Sequence, residues 1–377
     1  MPPRLATVLT SAVIVLAIAC ADASASTRSA VDKLSLSQLA GQRAIFSYSG
    51  KVPPPQLYAK IRSGEVGGII LFGPNISSRE QIAGVIETFQ DARRHSSLPP
   101  EIRRLPLLIT TDQEGGIVKR LPGPPTMSER QIGKTGSASL AFSQGVAAAD
   151  NLLDAGINVN LAPVLDVSRP GGGFLTKFDR IYSPKPHVVA RLGAASISGQ
   201  QSQGVATTAK HFPGLGSSVN DTDSGPVTLT LSKNTLHTVD EVPYPFAIRA
   251  GTRLVMLNHA IYTALDPGRP ASLSKRVVGG ELRRRLGYHG VTITDALEAD
   301  ALNAFGNIPE RGVKAALAGN DLLLYSEKET NEGVTGVAAL RAALESGRLD
   351  VDTFKRSLLG VLKLRADLLD GGALPPP

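Results

Sequence analysis

Four short apolar runs in this chain each end on a charged or imidazole side chain. Leu108-Ile109-Thr110-Thr111 leads into Asp112-Gln113-Glu114-Gly115-Gly116, and Thr207-Thr208-Ala209 into Lys210-His211. Met256-Leu257-Asn258 leads into His259, and Thr292-Ile293-Thr294 into Asp295. Carboxylates, an amine and imidazoles gathered at one rim could grip a polar ligand, move protons or attack an electrophilic carbon. Taken singly, each has an ordinary reading: an Asp after a strand caps the next helix, and a lone His is packed or exposed. The recurrence at four strand ends, beside Gly115, Gly116, Gly214 and Gly216, points instead to a pocket whose loops let backbone approach a ligand.

The elements that would hold such a pocket are legible in the hydrophobic pattern. About eight short β-branched runs recur, at Ala44–Ser47, Gly68–Phe72, Leu107–Thr111, Val159–Ala162, Val205–Ala209, Leu254–Asn258, Val291–Thr294 and Asp321–Tyr325. They are nearly continuously apolar, as parallel strands covered on both faces should be. The segments between them, such as Ser78–Arg94, Ser139–Ala155, His187–Gln203 and Val334–Ser346, carry helical periodicity. This alternation predicts an α/β fold, a single-domain (β/α)8 TIM-like barrel over residues 36–370. In such a barrel chemistry is built at the C-terminal ends of the strands.

Composition narrows the alternatives. The 377 residues are 42% hydrophobic and 19% charged, with 38 Gly and 26 Pro, which excludes a disordered chain. The formal charge of +7 is spread over scattered pairs such as Arg93-Arg94, Arg103-Arg104 and the run Arg283 to Arg285, with no aromatic-interleaved platform, so no nucleic-acid partner is expected. Attraction to an anionic wall or membrane surface accounts for it more simply. Residues 1–25 read as an export signal, with Arg4, an apolar run from Leu5 to Ala19 and small residues after it. Cys20 follows Ala17-Ile18-Ala19 and resembles a bacterial lipoprotein processing site, which implies attachment by a lipid anchor. Cleavage after Ala23-Ser24-Ala25 would instead release a soluble protein and discard Cys20. Residues 26–35 read as a tether and 371–377 as a frayed tail. No pair of His, Cys or carboxylates is read at helical ligand spacing and no phosphate-cradling loop is present, so neither metal nor cofactor is expected.

Several motifs match a known family in order. They are Asp112-Gln113-Glu114-Gly115-Gly116 with Arg120, Ala162-Pro163-Val164-Leu165-Asp166-Val167, Lys210-His211-Phe212-Pro213-Gly214, Ala271-Ser272-Leu273-Ser274 and Thr294-Asp295-Ala296-Leu297. Together they resemble the family 3 glycoside hydrolases of the β-N-acetylglucosaminidase type over nearly the whole mature chain. The resemblance implies a monomeric single barrel acting on a small saccharide or cell-wall glycan fragment. It implies that Asp295 is the nucleophile of a retaining double displacement. It also implies that Asp112, Arg120, Arg180, Lys210 and His211 hold the sugar, and His259 joins them as a candidate from its strand-end position. Arg180 lies in Asp179-Arg180-Ile181-Tyr182-Ser183, which resembles a looser family motif.

One loop departs from the pattern. Where relatives carry a second His and then an Asp-Ser-His triplet bearing the acid/base, this chain has Leu215 and Asp221-Thr222-Asp223. Asp223 thus stands where the acid/base His would be, with Asp221 beside it to raise its pKa. Three readings follow. The first is an active exo-glycosidase with Asp295 and Asp223 as its pair. The second is a non-hydrolytic sugar-binding lipoprotein, and the third a barrel enzyme using Lys210 as a Schiff-base amine.

Overall fold

The computed structural model describes residues 25–169, 173–369 and 371–375. Eight parallel strands form one sheet: β1 (Ala44–Phe46), β2 (Gly68–Leu71), β3 (Leu108–Thr111), β4 (Val159–Asn160), β5 (Ala206–Phe212), β6 (Leu254–Leu257), β7 (Val291–Thr294) and β8 (Leu323–Leu324). Their spatial order is β7-β6-β5-β4-β3-β2-β1-β8, and a parallel bridge between Ile293 and Leu322 brings the two ends together. The fold is the expected α/β barrel. Every residue of β1, β2, β3, β6 and β7 is buried, which is why these runs show no alternation of apolar and polar side chains.

The covering helices are α1 (Pro55–Arg62), α2 (Arg79–Arg94), α3 (Ala138–Leu153), α4 (Pro186–Ser202), α5 (Pro243–Arg249), α6 (Ile308–Ala318), α7 (Thr330–Glu345) and α8 (Val351–Asp367). A helical segment at Arg276–Arg285 occupies the connection between β6 and β7. Helix starts follow local chemistry: Ser78, Ser137 and Asn307 accept the third backbone N–H of α2, α3 and α6, while Pro opens α1, α4 and α5. Gly319, at φ 105°, ends α6 in a left-handed turn that a side chain would strain.

Two segments differ from expectation. Residues 25–32 are helical, most of them within the 26–35 stretch read as tether, and Ala30, Val31 and Leu34 are buried in the main core cluster. Apolar side chains spaced at a helical period account for this, a signal too short to stand out beside the export sequence. At the other end Leu374 donates its N–H to Gln201 O at 2.9 Å, so this part of the expected tail is docked. The export signal and Cys20 lie outside the described residues, apart from Ala25. Among the described residues no helix is long and apolar enough to cross a membrane.

Helices α3 and α4 cross with their backbones in close approach, and glycine makes it possible. A Cβ at Gly145 would lie 2.5 Å from Ser196 O, and one at Gly199 would lie 2.2 Å from Phe142 O. Backbone cannot rotate aside as a side chain can, so the helices must separate to admit a methyl group. We therefore expect Gly199→Ala to destabilise the fold by about 1–3 kcal/mol despite alanine's better helix propensity. Urea unfolding monitored by circular dichroism checks this, and an unchanged or higher midpoint would show that the crossing tolerates the methyl.

Candidate active site

Eight of the nine residues nominated from sequence line one cavity of about 560 Å3 at the C-terminal ends of the strands. The ninth, His259, does not. Its ring is held elsewhere: Nδ1 is 2.7 Å from Ser272 Oγ and Nε2 is 2.8 Å from Ala296 O. Both ring nitrogens are thus engaged behind the Asp295-Ala296 turn. Burial lowers the His259 pKa, against the pull of the Asp295 charge, and favours a neutral ring that braces this backbone.

One wall of the cavity is cationic and tied by ion pairs. Asp112 follows β3 directly, and Glu114 two residues on sits in a short hairpin, Gln113–Gly115 against Val118–Lys119. Gly115, at φ 112°, permits the turn, and its missing Cβ leaves room for Met127 O. Arg180 donates from Nε and Nη2 to the two oxygens of Glu114, each at 2.8 Å. Lys210, at the end of β5, donates to Asp112 Oδ1 at 2.8 Å and lies 2.7 Å from Glu114 Oε1. Arg120 is 3.5 Å from Asp112 Oδ2. Burial alone would raise the Glu114 pKa, but Arg180 and Lys210 outweigh it and bring the carboxyl down to about 2. Burial would likewise lower Lys210, yet Asp112 and Glu114 raise it, so the amine stays protonated. The two ion pairs of Lys210 weigh against the Schiff-base reading, which needs a neutral amine.

His211 faces Asp166, with Nδ1 2.6 Å from Oδ2, and its Nε2 lies 3.4 Å from Arg180. Asp166 also accepts the Leu215 N–H, so the buried carboxylate fixes both the imidazole and the start of the departing loop. Glu114 and Asp166 belong to motifs visible in the sequence but were not nominated as site residues. The spacing of Glu114 from Asp112 could have found it, because residues two apart near a strand end face the same way.

The opposite wall is acidic. Asp295 ends β7, held by its own N–H on Leu257 O at 2.9 Å, and its Oδ1 accepts from Ala296 N at 2.9 Å. The loop carrying Asp221-Thr222-Asp223 reaches over to the turn beyond Asp295. There Asp300 N donates to Asp223 O and Ala301 N to Thr222 O, at 3.2 and 3.1 Å. Asp221 Oδ1 accepts Asp223 N at 3.0 Å and shapes the loop tip. Burial in the cleft, then the charges of Asp295, Asp221 and Glu298, push the Asp223 carboxyl up to about 8. The residue itself is exposed at the mouth, so water screens part of the burial effect, and the direction rests most firmly on the three facing carboxylates. Glu298, also unnominated, lines the same wall, accepts from Ser326 Oγ at 2.6 Å, and is raised by burial.

Metal-ligand spacing is present after all, away from this cavity. His237 and Glu241, four residues apart, meet Glu281 with one candidate ligand atom from each within 4.8 Å of the others. Arg285 pairs with both glutamates, and Lys233 lies 3.2 Å from Glu281. These cations already neutralise the carboxylates, so the cluster is a salt-bridge network between the connections that flank β6.

The sequence and the barrel resemble those of known proteins. The Glycosyl hydrolase family 3 N terminal domain matches residues 45–364. An "Uncharacterized secreted glycosyl hydrolase" of Arthroderma benhamiae is 42% identical over 338 residues, covering 89% of this chain and 94% of that protein. Beta-hexosaminidase A of Pseudoalteromonas piscicida is 30% identical, covering 85% of this chain, which spans only 56% of that relative. Among solved structures, a family 3 β-N-acetylglucosaminidase from Paenibacillus sp. superimposes with a TM-score of 0.83 at 35% identity, over 91% of this chain and 64% of that one. The β-N-acetylhexosaminidase of Beutenbergia cavernae gives 0.78 at 27% identity, over 89% and 99%. With the domain match spanning most of the barrel and the acidic and cationic walls in place, the chain belongs to glycosyl hydrolase family 3.

Proposed function

We propose that the protein is an exported retaining glycosidase that removes β-linked N-acetylglucosamine, or a closely related β-sugar, from cell-wall saccharides. The observation that carries this reading is the division of one sugar-sized cavity between two walls. Charged donors and carboxylate acceptors on Asp112, Arg120, Arg180, Lys210 and His211 suit the hydroxyls and amide of a sugar ring. Two carboxyl groups, Asp295 and Asp223, face them. The names of the relatives support the choice of sugar, and the secreted fungal relative supports export.

The chemistry assigned to the pair is a double displacement. An Asp295 oxygen attacks the anomeric carbon as the bond to the leaving oxygen breaks, and Asp223 gives that oxygen its proton. Water then enters, Asp223 takes a proton from it, and the water oxygen displaces Asp295 from the anomeric carbon. A raised Asp223 pKa serves both halves, since the same group must be an acid and then a base.

Replacing Asp295 with Ala should lower kcat on 4-nitrophenyl β-N-acetylglucosaminide by about a thousandfold or more. Asp223→Ala should lose far more activity on alkyl or sugar leaving groups than on nitrophenyl, and azide should restore turnover through a β-glycosyl azide. Retained nitrophenyl release in Asp295→Ala would remove the assigned nucleophile. A silent wild type that still binds the sugar saturably would move the assignment to a non-hydrolytic sugar receptor.

The pH dependence follows in sign from the raised carboxyl. Asp223 donates only while protonated, so kcat/KM should hold below its folded pKa and fall as pH rises through it, with the alkaline limb at roughly pH 6–8 once solvent screening is included. That limb should vanish in Asp223→Ala. An identical alkaline limb in the variant would mean that another group supplies the proton.

A further inference from the structure

We infer that the flank and underside of the barrel carry a docking groove for a linear acidic polysaccharide, separate from the catalytic mouth. Three cavities of about 400, 510 and 630 Å3 join in series. Arg269 and Lys275 line both the first and the second, and Lys275 and Arg348 line both the second and the third. The last cavity reaches Arg43, Gly290 and Asp321, which precede β1, β7 and β8. The groove therefore ends at the N-terminal face of the barrel, opposite the rim that bears Asp295.

Its charge is one-sided. Eight Lys and Arg line the three cavities against three Asp. Four of these cations are already engaged, since Arg348 and Lys314 pair with Glu310, Arg283 pairs with Asp321, and Arg43 is buried against backbone carbonyls, which leaves Arg269, Lys275, Arg276 and Arg356 exposed along the path. Two of the three Asp are already committed: Asp321 pairs with Arg283, and Asp350 caps α8. Arg269, Lys275 and Arg276 are exposed and form no ion pair among the described residues. Neither folding nor the reaction at the mouth employs them.

The shape selects the partner. A string of joined hollows fits a flexible chain better than a single ion or a flat bilayer. Of the groove's large apolar side chains only Leu317 is exposed, too little for insertion into lipid. Tyr288 and Phe354 are buried, Phe305 is half-buried and His289 alone is an exposed ring, too little to stack successive bases. Guanidinium groups at intervals match the carboxylates of a polyuronate, which they can grip bidentately. The choice of a polysaccharide over other polyanions rests on the glycan reading of the mouth; the groove itself does not. Docking there leaves the mouth facing outward toward neighbouring chains.

The test is binding of the full chain to fluorescent oligogalacturonate, with soluble nitrophenyl-glycoside turnover measured in parallel. The wild type should bind at about 0.15 M salt and weaken steadily as salt rises. Arg269→Glu, Lys275→Glu and Arg276→Glu combined should weaken binding about tenfold or more, leaving turnover and the unfolding midpoint unchanged. Lys33→Glu, Arg103→Glu and Arg104→Glu, three exposed changes outside the groove, should have little effect. Should the first triple variant fold poorly, the same positions changed to Gln should still weaken binding. Absence of wild-type binding, equal loss in both triple variants, or tighter binding to single-stranded DNA or phosphatidylglycerol vesicles would overturn the inference. A catalytically silent wild type would bear on the function proposed for the mouth and leave the binding comparison readable.

Discussion

The buried charge chain Arg180–Glu114–Lys210–Asp112 is the interaction on which the rest of the site depends. The side chains of Glu114 and Lys210 are each only 2% exposed, so each charge persists there only because two opposite charges face it, Arg180 and Lys210 for Glu114, Asp112 and Glu114 for Lys210. Breaking one member of such a buried pair typically costs about 3–5 kcal/mol, because the remaining charge has no water to turn to. The chain also joins distant parts of the sequence: the end of β3, the end of β5 and the loop before α4. Holding these together fixes one wall of the cavity before any ligand arrives, which lowers the ordering cost of binding.

The facing wall is built on the opposite principle. Asp223, Asp221, Asp295 and Glu298 crowd together with few cations, and behind them Glu332 is raised to about 9 by burial and by Glu298. Carboxylates so placed raise one another's pKa, which favours a retained proton on this wall. His259 contributes no charge to this balance, since its neutral ring is spent bracing Ala296. The repulsion stored on this wall is carried by the well-packed barrel beneath it, where every residue of β7 is buried.

Backbone anchoring fixes the loop that closes the acidic side of the cavity. The segment Asp221-Thr222-Asp223 is pinned by backbone bonds to the turn beyond Asp295. Its start is held by Asp166 through Leu215 N–H. The place of residue 223 is therefore set largely by backbone contacts. Tyr262 Oη donates to Gly214 O, which steadies the same loop from β6's side.

The barrel and most of its mouth were determined by the sequence itself. Strand runs such as Gly68–Phe72 and Val291–Thr294 are local, period-independent apolar signals, and the polar residues that end them announce the catalytic rim. Asp112, Lys210 and Asp295 were legible for that reason. Tertiary structure alone decided what touches what. It paired Glu114 with Arg180 across 66 residues of sequence and turned His259 away from the cavity. It also joined His237 and Glu241 to Glu281, and gathered scattered basic residues from Arg43 to Arg356 along one groove. Periodicity records which face of an element is buried, but charges pair through space, and only closure of the barrel sets which faces meet.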